Sequence, residues 1–174
     1  HECAAAGASQ VTMLGRNKER TRSVLDAYVG RLSELAYATI DLPAAKPGYR
    51  TLRQIYKETA LKYGTYAASK TVLSEADLII NATPCGMHEG DEAPFDTALL
   101  RTDQVVFDCV YGHGETALLA AARQAGCRAY DGGGMLVAQA VATVGIVCDV
   151  ASVELPLSDD ELFDIMAKAA GFNV

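Results

Sequence analysis

Arg16 and Arg20 stand four residues apart just past the apolar run Gln10-Val-Thr-Met-Leu14, and with Gly15, Asn17 and Lys18 they form the first cluster suited to a chemical task. A spacing of four puts side chains on one face if a helix begins there. Two guanidinium groups aimed at one point are suited to an anion, above all a phosphate. The only acid from Arg16 to Arg20 is Glu19. A solvated helix start with ordinary basic residues is the alternative, but a helix N-terminus disfavours cations through its own dipole.

The second cluster follows another apolar run. Leu78, Ile79 and Ile80 stop at Asn81, and Ala82-Thr-Pro-Cys-Gly86 cannot continue a central strand, because Pro84 lacks a donor and Gly86 is permissive. This reads as a buried parallel strand ending in a ligand-facing loop. In open α/β sheets ligands lie beyond the carboxyl ends of strands, so Asn81, Thr83 and Met87 are where chemistry is expected. A third cluster, Asp131-Gly-Gly-Gly134, runs into Met135-Leu-Val-Ala-Gln139. It is either a tight turn or a place where backbone approaches a ligand without Cβ interference. Tyr111 and Gln139 either converge on the same cleft or are satisfied core residues. His1, His88 and His113 show no metal-ligand spacing with the cysteines, so no metal site is expected. Neither a G-x-S-x-G nor a Walker loop is present.

The elements that must position these residues alternate. After a strand over 10–14, the apolar residues Val24, Leu25, Tyr28, Val29, Leu32 and Leu35 share one face of a helix over Lys18–Ala36. Residues 37–70 are broken by Pro43, Pro47 and Gly48, with a helix expected over 52–63, and read as an amphipathic cover of the sheet or as a lid or subunit contact. Strands are expected over 77–82 and 104–111, a helix over 116–125 closed by Gly126, and a short strand over Arg128–Tyr130. Residues 135–148 carry no charge, which predicts a helix buried on most sides. Ser158-Asp-Asp-Glu161 is a capping box opening a helix with Leu162, Ile165, Met166 and Ala169 on one face. Alternating strands and helices imply a doubly wound, mostly parallel sheet with helices on both sides. At the other end, His1-Glu-Cys-Ala-Ala-Ala-Gly7 reads as the second half of a helix closed by glycine, as in a fragment of something longer.

With 174 residues the chain can bury about 70 % of its unfolded surface. Half of the residues, 50 %, are hydrophobic and 21 % charged, in apolar runs that look too short and interrupted for a membrane span. A net charge of -7 argues against a nucleic-acid surface. Five cysteines, an odd number without a C-x-x-C pair, read as reduced thiols of a cytoplasmic protein. The expected domains are 1–148 for nucleotide binding and 149–174 as a helical tail.

Taken in order and spacing, Asn81-Ala-Thr-Pro-Cys-Gly-Met87, Cys109-Val-Tyr111 with Thr116-Ala-Leu-Leu119 behind it, and Asp131-Gly-Gly-Gly-Met-Leu-Val-Ala-Gln139 resemble the C-terminal half of the shikimate dehydrogenase family. The closing Gly171-Phe172 resembles its quinate/shikimate branch. The likeness covers nearly everything except residues 37–70. It implies a Rossmann-like α/β domain whose first strand and glycine-rich loop belong upstream of His1, leaving a slot that another segment fills or around which the strands repack. It implies NADPH-dependent reduction of 3-dehydroshikimate to shikimate, a step of aromatic amino-acid synthesis.

By matching motif positions, Gly15, Arg16, Asn17, Lys18 and Arg20 would surround the adenosine 2′-phosphate of NADP. Asn81, Ala82 and Thr83 would line the cofactor channel, Cys109 and Gly132 would lie near the nicotinamide, and Tyr111 and Gln139 would reach the substrate. Lys18 stands where NAD-using relatives carry Asp, which favours NADP. The family's catalytic Lys and Asp belong to an N-terminal substrate domain, so no catalytic residue is assigned in this chain, which alone is expected to bind NADP weakly and to reduce nothing. Quinate/shikimate dehydrogenase and a non-catalytic nucleotide-binding module are the alternatives, and a homodimer is left open.

Overall fold

A short helix, α1 (Glu2–Ala5), ends at Gly7 in the left-handed region (φ 105) and leads into the strand β1 (Gln10–Gly15). Asn17 then caps α2 (Lys18–Ala36) by accepting the Arg20 N–H. The capping box of Thr51 and Gln54 opens α3 (Leu52–Glu58), and Thr59, extended, passes the chain to the strand β2 (Ala60–Thr65). β1 and β2 pair in parallel, Gln10 opposite Ala60 through Gly15 opposite Thr65. In a computed structural model that describes residues 1–38 and 45–172, these elements belong to one compact unit, His1–Val72. Its core is Ala4, Ala5, Leu32 and Ile55, with Val11, Tyr28, Leu52 and Leu61 packed against them.

The helix expected over 52–63 is therefore too long. Leu61 and Tyr63 alternate in burial with Ala60 and Lys62, the period of two that marks a strand. Part of the segment read as a cover is a member of the sheet itself. The break expected at Pro43 lies outside the described residues.

The helix α4 (Ser69–Glu75) leads into the second unit, Leu73–Val174. There β3 (Leu78–Asn81), β4 (Val105–Asp108) and β5 (Arg128–Tyr130) form a parallel sheet in that order. Thr116 caps α5 (Ala117–Gln124), which packs on β4 and β5; Leu73 of α4 joins Ile79, Val106, Leu118, Ala122 and Cys127 in the core. A long helix, α6 (Gly133–Ala151), follows, and the predicted capping box of Ser158 and Glu161 opens α7 (Asp159–Ala170). α7 packs on α6 through Val137, Val141 and Ala167, within the unit Leu73–Val174.

Three further expectations change. In place of one continuous sheet, the described residues form a two-stranded and a three-stranded sheet, both parallel, because β1 pairs only with β2 and β3 only with β4. The run Leu78-Ile79-Ile80 is covered on one side: Ile79 is buried, but Leu78 and Ile80 are 44 % and 45 % exposed. And α6 is largely uncovered, with only Gly133, Val137 and Val141 buried and Val150 83 % exposed. Apolar composition says what water disfavours, not what is there to cover it. With 19 residues and a mean hydropathy of 1.8, α6 also has the length and composition of a membrane span, contrary to the reading of short apolar runs. The motif reading began at Met135 and stopped at Cys148, short of both ends.

Candidate functional site

In the first unit, β1 delivers the chain to the N-terminus of α2 through Gly15-Arg16-Asn17. A cleft of ≈ 550 Å³ opens there, lined by Met13, Leu14, Gly15, Arg16, Asn17, Arg20, Thr21 and Val24. Arg16 and Arg20 are exposed and line it together, no acid lines it, and among the described residues neither has an ion-pair partner. The unsatisfied N–H groups and positive dipole end of a helix add to the same field. Lys18 is exposed but does not line the cleft.

Two residues here serve the turn. The Asn17 side chain accepts the Arg20 N–H at 2.8 Å, and its carbonyl accepts the Thr21 hydroxyl at 2.7 Å. A Cβ on Gly15 would lie 2.2 Å from that hydroxyl oxygen, so the strand end stays bare. What remains for a ligand is a pair of guanidinium groups over an apolar wall, a donor set that fits a phosphate ester.

In the second unit the strand ends are built differently. Asn81 and Asp108 are partners in the parallel register of β3 and β4, which sets two polar side chains side by side at the carboxyl ends. Asn81 is buried and its amide is saturated: the nitrogen donates to Asp108 Oδ1 (2.9 Å) and the Cys85 carbonyl (3.2 Å), while the oxygen accepts the Thr83 N–H (3.0 Å) and hydroxyl (2.7 Å). Its side chain thus organises the loop and has no capacity left for a ligand. Ala82 and Met87 are exposed and Thr83 half-buried.

Asp108, wholly buried, accepts the Val110 N–H at 3.1 Å and the Thr116 hydroxyl at 2.7 Å. Neither Asp108 nor Thr116 was singled out from the sequence as a site residue. The signal was present as an acid closing the apolar run Val105-Val-Phe107, with a helix-capping Thr eight positions on.

Cys109, Tyr111 and Gly132 come together. A Cβ on Gly132 would lie 2.4 Å from the Cys109 carbonyl oxygen and 3.2 Å from the Tyr111 ring. Tyr111 meets Phe172 edge to face with ring centroids 6.4 Å apart, and Phe172 also lies against Gly133. Burial, and secondarily the neighbouring Asp108, pushes the Cys109 thiol above its ordinary pKa, which disfavours the thiolate. The triple glycine is no separate turn: Gly133 and Gly134 are the first residues of α6, and Asp131 accepts the Gly133 N–H at 2.9 Å. Gln139, expected in a buried helix, is exposed, because that side of α6 is uncovered. No group of three or more metal-binding side chains occurs among the described residues.

No protein-family model matches the chain. Among curated proteins, the shikimate dehydrogenase (NADP(+)) of Rhodopseudomonas palustris is 33 % identical over 135 residues, 78 % of this chain and 38 % of that protein. This chain belongs to the shikimate dehydrogenase family. It spans about a third to two fifths of the length of the curated shikimate dehydrogenases it matches. Solved structures agree on the fold. Quinate dehydrogenase from Corynebacterium glutamicum in complex with NAD superposes with a TM-score of 0.57 at 24 % identity, covering 93 % of this chain and 56 % of that one. Shikimate dehydrogenase from Mycobacterium tuberculosis gives a TM-score of 0.59 at 19 % identity, covering 90 % and 47 %. The Rossmann-like α/β fold of shikimate dehydrogenases is thus the fold of this chain.

Proposed function

We propose that this chain is the NADP-binding portion of a cytoplasmic enzyme that reduces 3-dehydroshikimate to shikimate, its catalytic groups and most of its substrate-holding groups lying in an N-terminal substrate domain. The observation that carries the choice of NADP over NAD is the acid-free cleft that Arg16 and Arg20 line at the start of α2. An acid would serve a ribose hydroxyl; paired guanidinium groups serve a 2′-phosphate. The Rhodopseudomonas palustris relative is an NADP(+) enzyme by name.

The coenzyme, when bound, supplies the hydride. The chain's own contribution is binding and placement: Arg16 and Arg20 hold the phosphorylated ribose, bare Gly15 and the capping Asn17 keep the turn open, Ala82 and Thr83 line the coenzyme channel, and Cys109 and Gly132 lie near the nicotinamide end. Tyr111 and Gln139 reach toward the substrate's carboxylate or hydroxyls.

In the full-length protein, Arg16→Ala and Arg20→Ala should each weaken NADP by about ten- to a hundredfold, the worth of one charge-assisted contact, and leave NAD within about twofold. Equal losses for both coenzymes, read by calorimetry, would remove the basis for NADP. Profiling the full-length protein against shikimate and quinate separates the quinate dehydrogenase alternative, and absence of any turnover would favour a non-catalytic nucleotide-binding module.

A further inference from the structure

We propose that Asp108 is a positioning residue that clamps the loop after β3 and the chain after β4, so that the backbone presented to the nicotinamide end of the coenzyme is held still. The inference rests on the functional reading above, and it concerns a residue to which that reading gives no role.

Asp108 is wholly buried, and its hydrogen-bond partners are neutral donors from separate segments: the Asn81 amide at the end of β3 (2.9 Å), the Val110 N–H just past β4 (3.1 Å) and the Thr116 hydroxyl that caps α5 (2.7 Å). A buried carboxyl group contributes less to stability than a well-packed apolar side chain of similar size, even with its bonds made. What it supplies here is connection. Through Asn81 the clamp extends to the N–H and hydroxyl of Thr83, and from the Thr83 hydroxyl to the Cys85 N–H at 3.2 Å. The loop then returns to the same helix cap: Gly86 sits at φ +104, where a Cβ would lie 2.8 Å from the Thr116 methyl. The relay reaches the backbone of Thr83, Cys85 and Val110 and, through the Thr116 hydroxyl, the Leu119 N–H of α5. Val110 adjoins Cys109, assigned above to the nicotinamide, and Thr83 and Cys85 belong to the loop assigned to the coenzyme channel.

The test uses the full-length enzyme with Asp108→Asn, Thr116→Val and Thr116→Ser. Val keeps the shape of Thr116 and removes its hydroxyl; Ser keeps the hydroxyl. Amide hydrogen exchange at Thr83, Cys85 and Val110 should quicken about tenfold in Asp108→Asn and Thr116→Val, return toward wild type in Thr116→Ser, and stay unchanged at Ile80 and Val106 within the strands. With NADPH deuterated at the transferred position, kcat should fall about tenfold and the isotope effect should rise, with KM for NADPH little changed. A residue that only supports the fold would lower the active fraction and leave the isotope effect where it was. Unchanged exchange at the loop amides, or a loss of kcat without a rise in the isotope effect, overturns the proposal. Absence of nicotinamide-dependent turnover in the wild-type enzyme would overturn the functional reading instead, and the exchange rates would still decide whether the clamp exists.

Discussion

The turn after β1 and the loop after β3 both follow a parallel strand, yet they spend their polar groups in opposite ways. After β1, Asn17 and Thr21 hold the turn with a few local bonds, and Arg16 and Arg20 are left exposed without ion pairs among the described residues. After β3, the side chains of Asn81, Thr83 and Asp108 are bonded to one another or to nearby backbone. The first region has its chemistry in side chains that face solvent. The second has these polar side chains turned inward, and backbone with apolar side chains such as Ala82 and Met87 remains to meet a ligand. Substitutions should therefore separate binding from stability in the first region and couple them in the second.

The largest expected effect lies beside the second region, where the cap of α6 meets the chain after β4. Gly132→Ala places a Cβ 2.4 Å from the Cys109 carbonyl oxygen, a backbone atom that cannot turn aside, and should lower stability by about 3 kcal/mol in urea unfolding. A neutral outcome would break the contrast. Gly86→Ala meets both a left-handed φ of +104 and the Thr116 methyl at 2.8 Å, and should cost about 2 kcal/mol. Gly90→Ala, with φ +83 and open space around it, isolates the backbone part at about 1 kcal/mol. In the first region, Asn17→Ala should cost about 1 kcal/mol through the lost cap, whereas Arg20→Ala should stay within about 0.5 kcal/mol despite its effect on NADP.

The smallest effect is a titration. The backbone N–H groups of His88 and Gly86 hold the Asp91 carboxyl below its ordinary pKa. A depressed folded pKa stabilises the loop above the ordinary carboxyl range, and that contribution is lost as pH falls through the lower folded value. An NMR titration of the Gly86 and His88 amides should show it; a midpoint at or above the unfolded value would contradict it.

Much of the frame was legible. The apolar spacing from Val24 to Leu35 marked the helix over Lys18–Ala36 that α2 occupies, and Ser158 with Glu161 opened α7 where expected. The alternation of strands and helices carried the parallel α/β class, and Arg16 and Arg20 line one cleft although α2 begins only at Lys18, so that Arg16 belongs to the turn before the cap and not to a helix face. β2 was not legible because its period-two stretch is short and follows a helix directly. The exposure of α6 was not legible because a charge-free helix is equally consistent with a core. The Asp108 clamp depends on the register that sets Asn81 beside it, 27 residues away, which no local pattern shows.

The ring of Phe172 lies 2.9 Å from where a methyl on Gly133 would sit, and edge to face with Tyr111. The size of the residue at 133 is therefore set by one near the far end of the chain. An alanine at 133 would have to evict an aromatic ring, and a smaller aliphatic at 172 would make room for it. Paired replacements there should be better tolerated than either alone, which makes the two positions a matched lock that a designer can recut only from both sides at once.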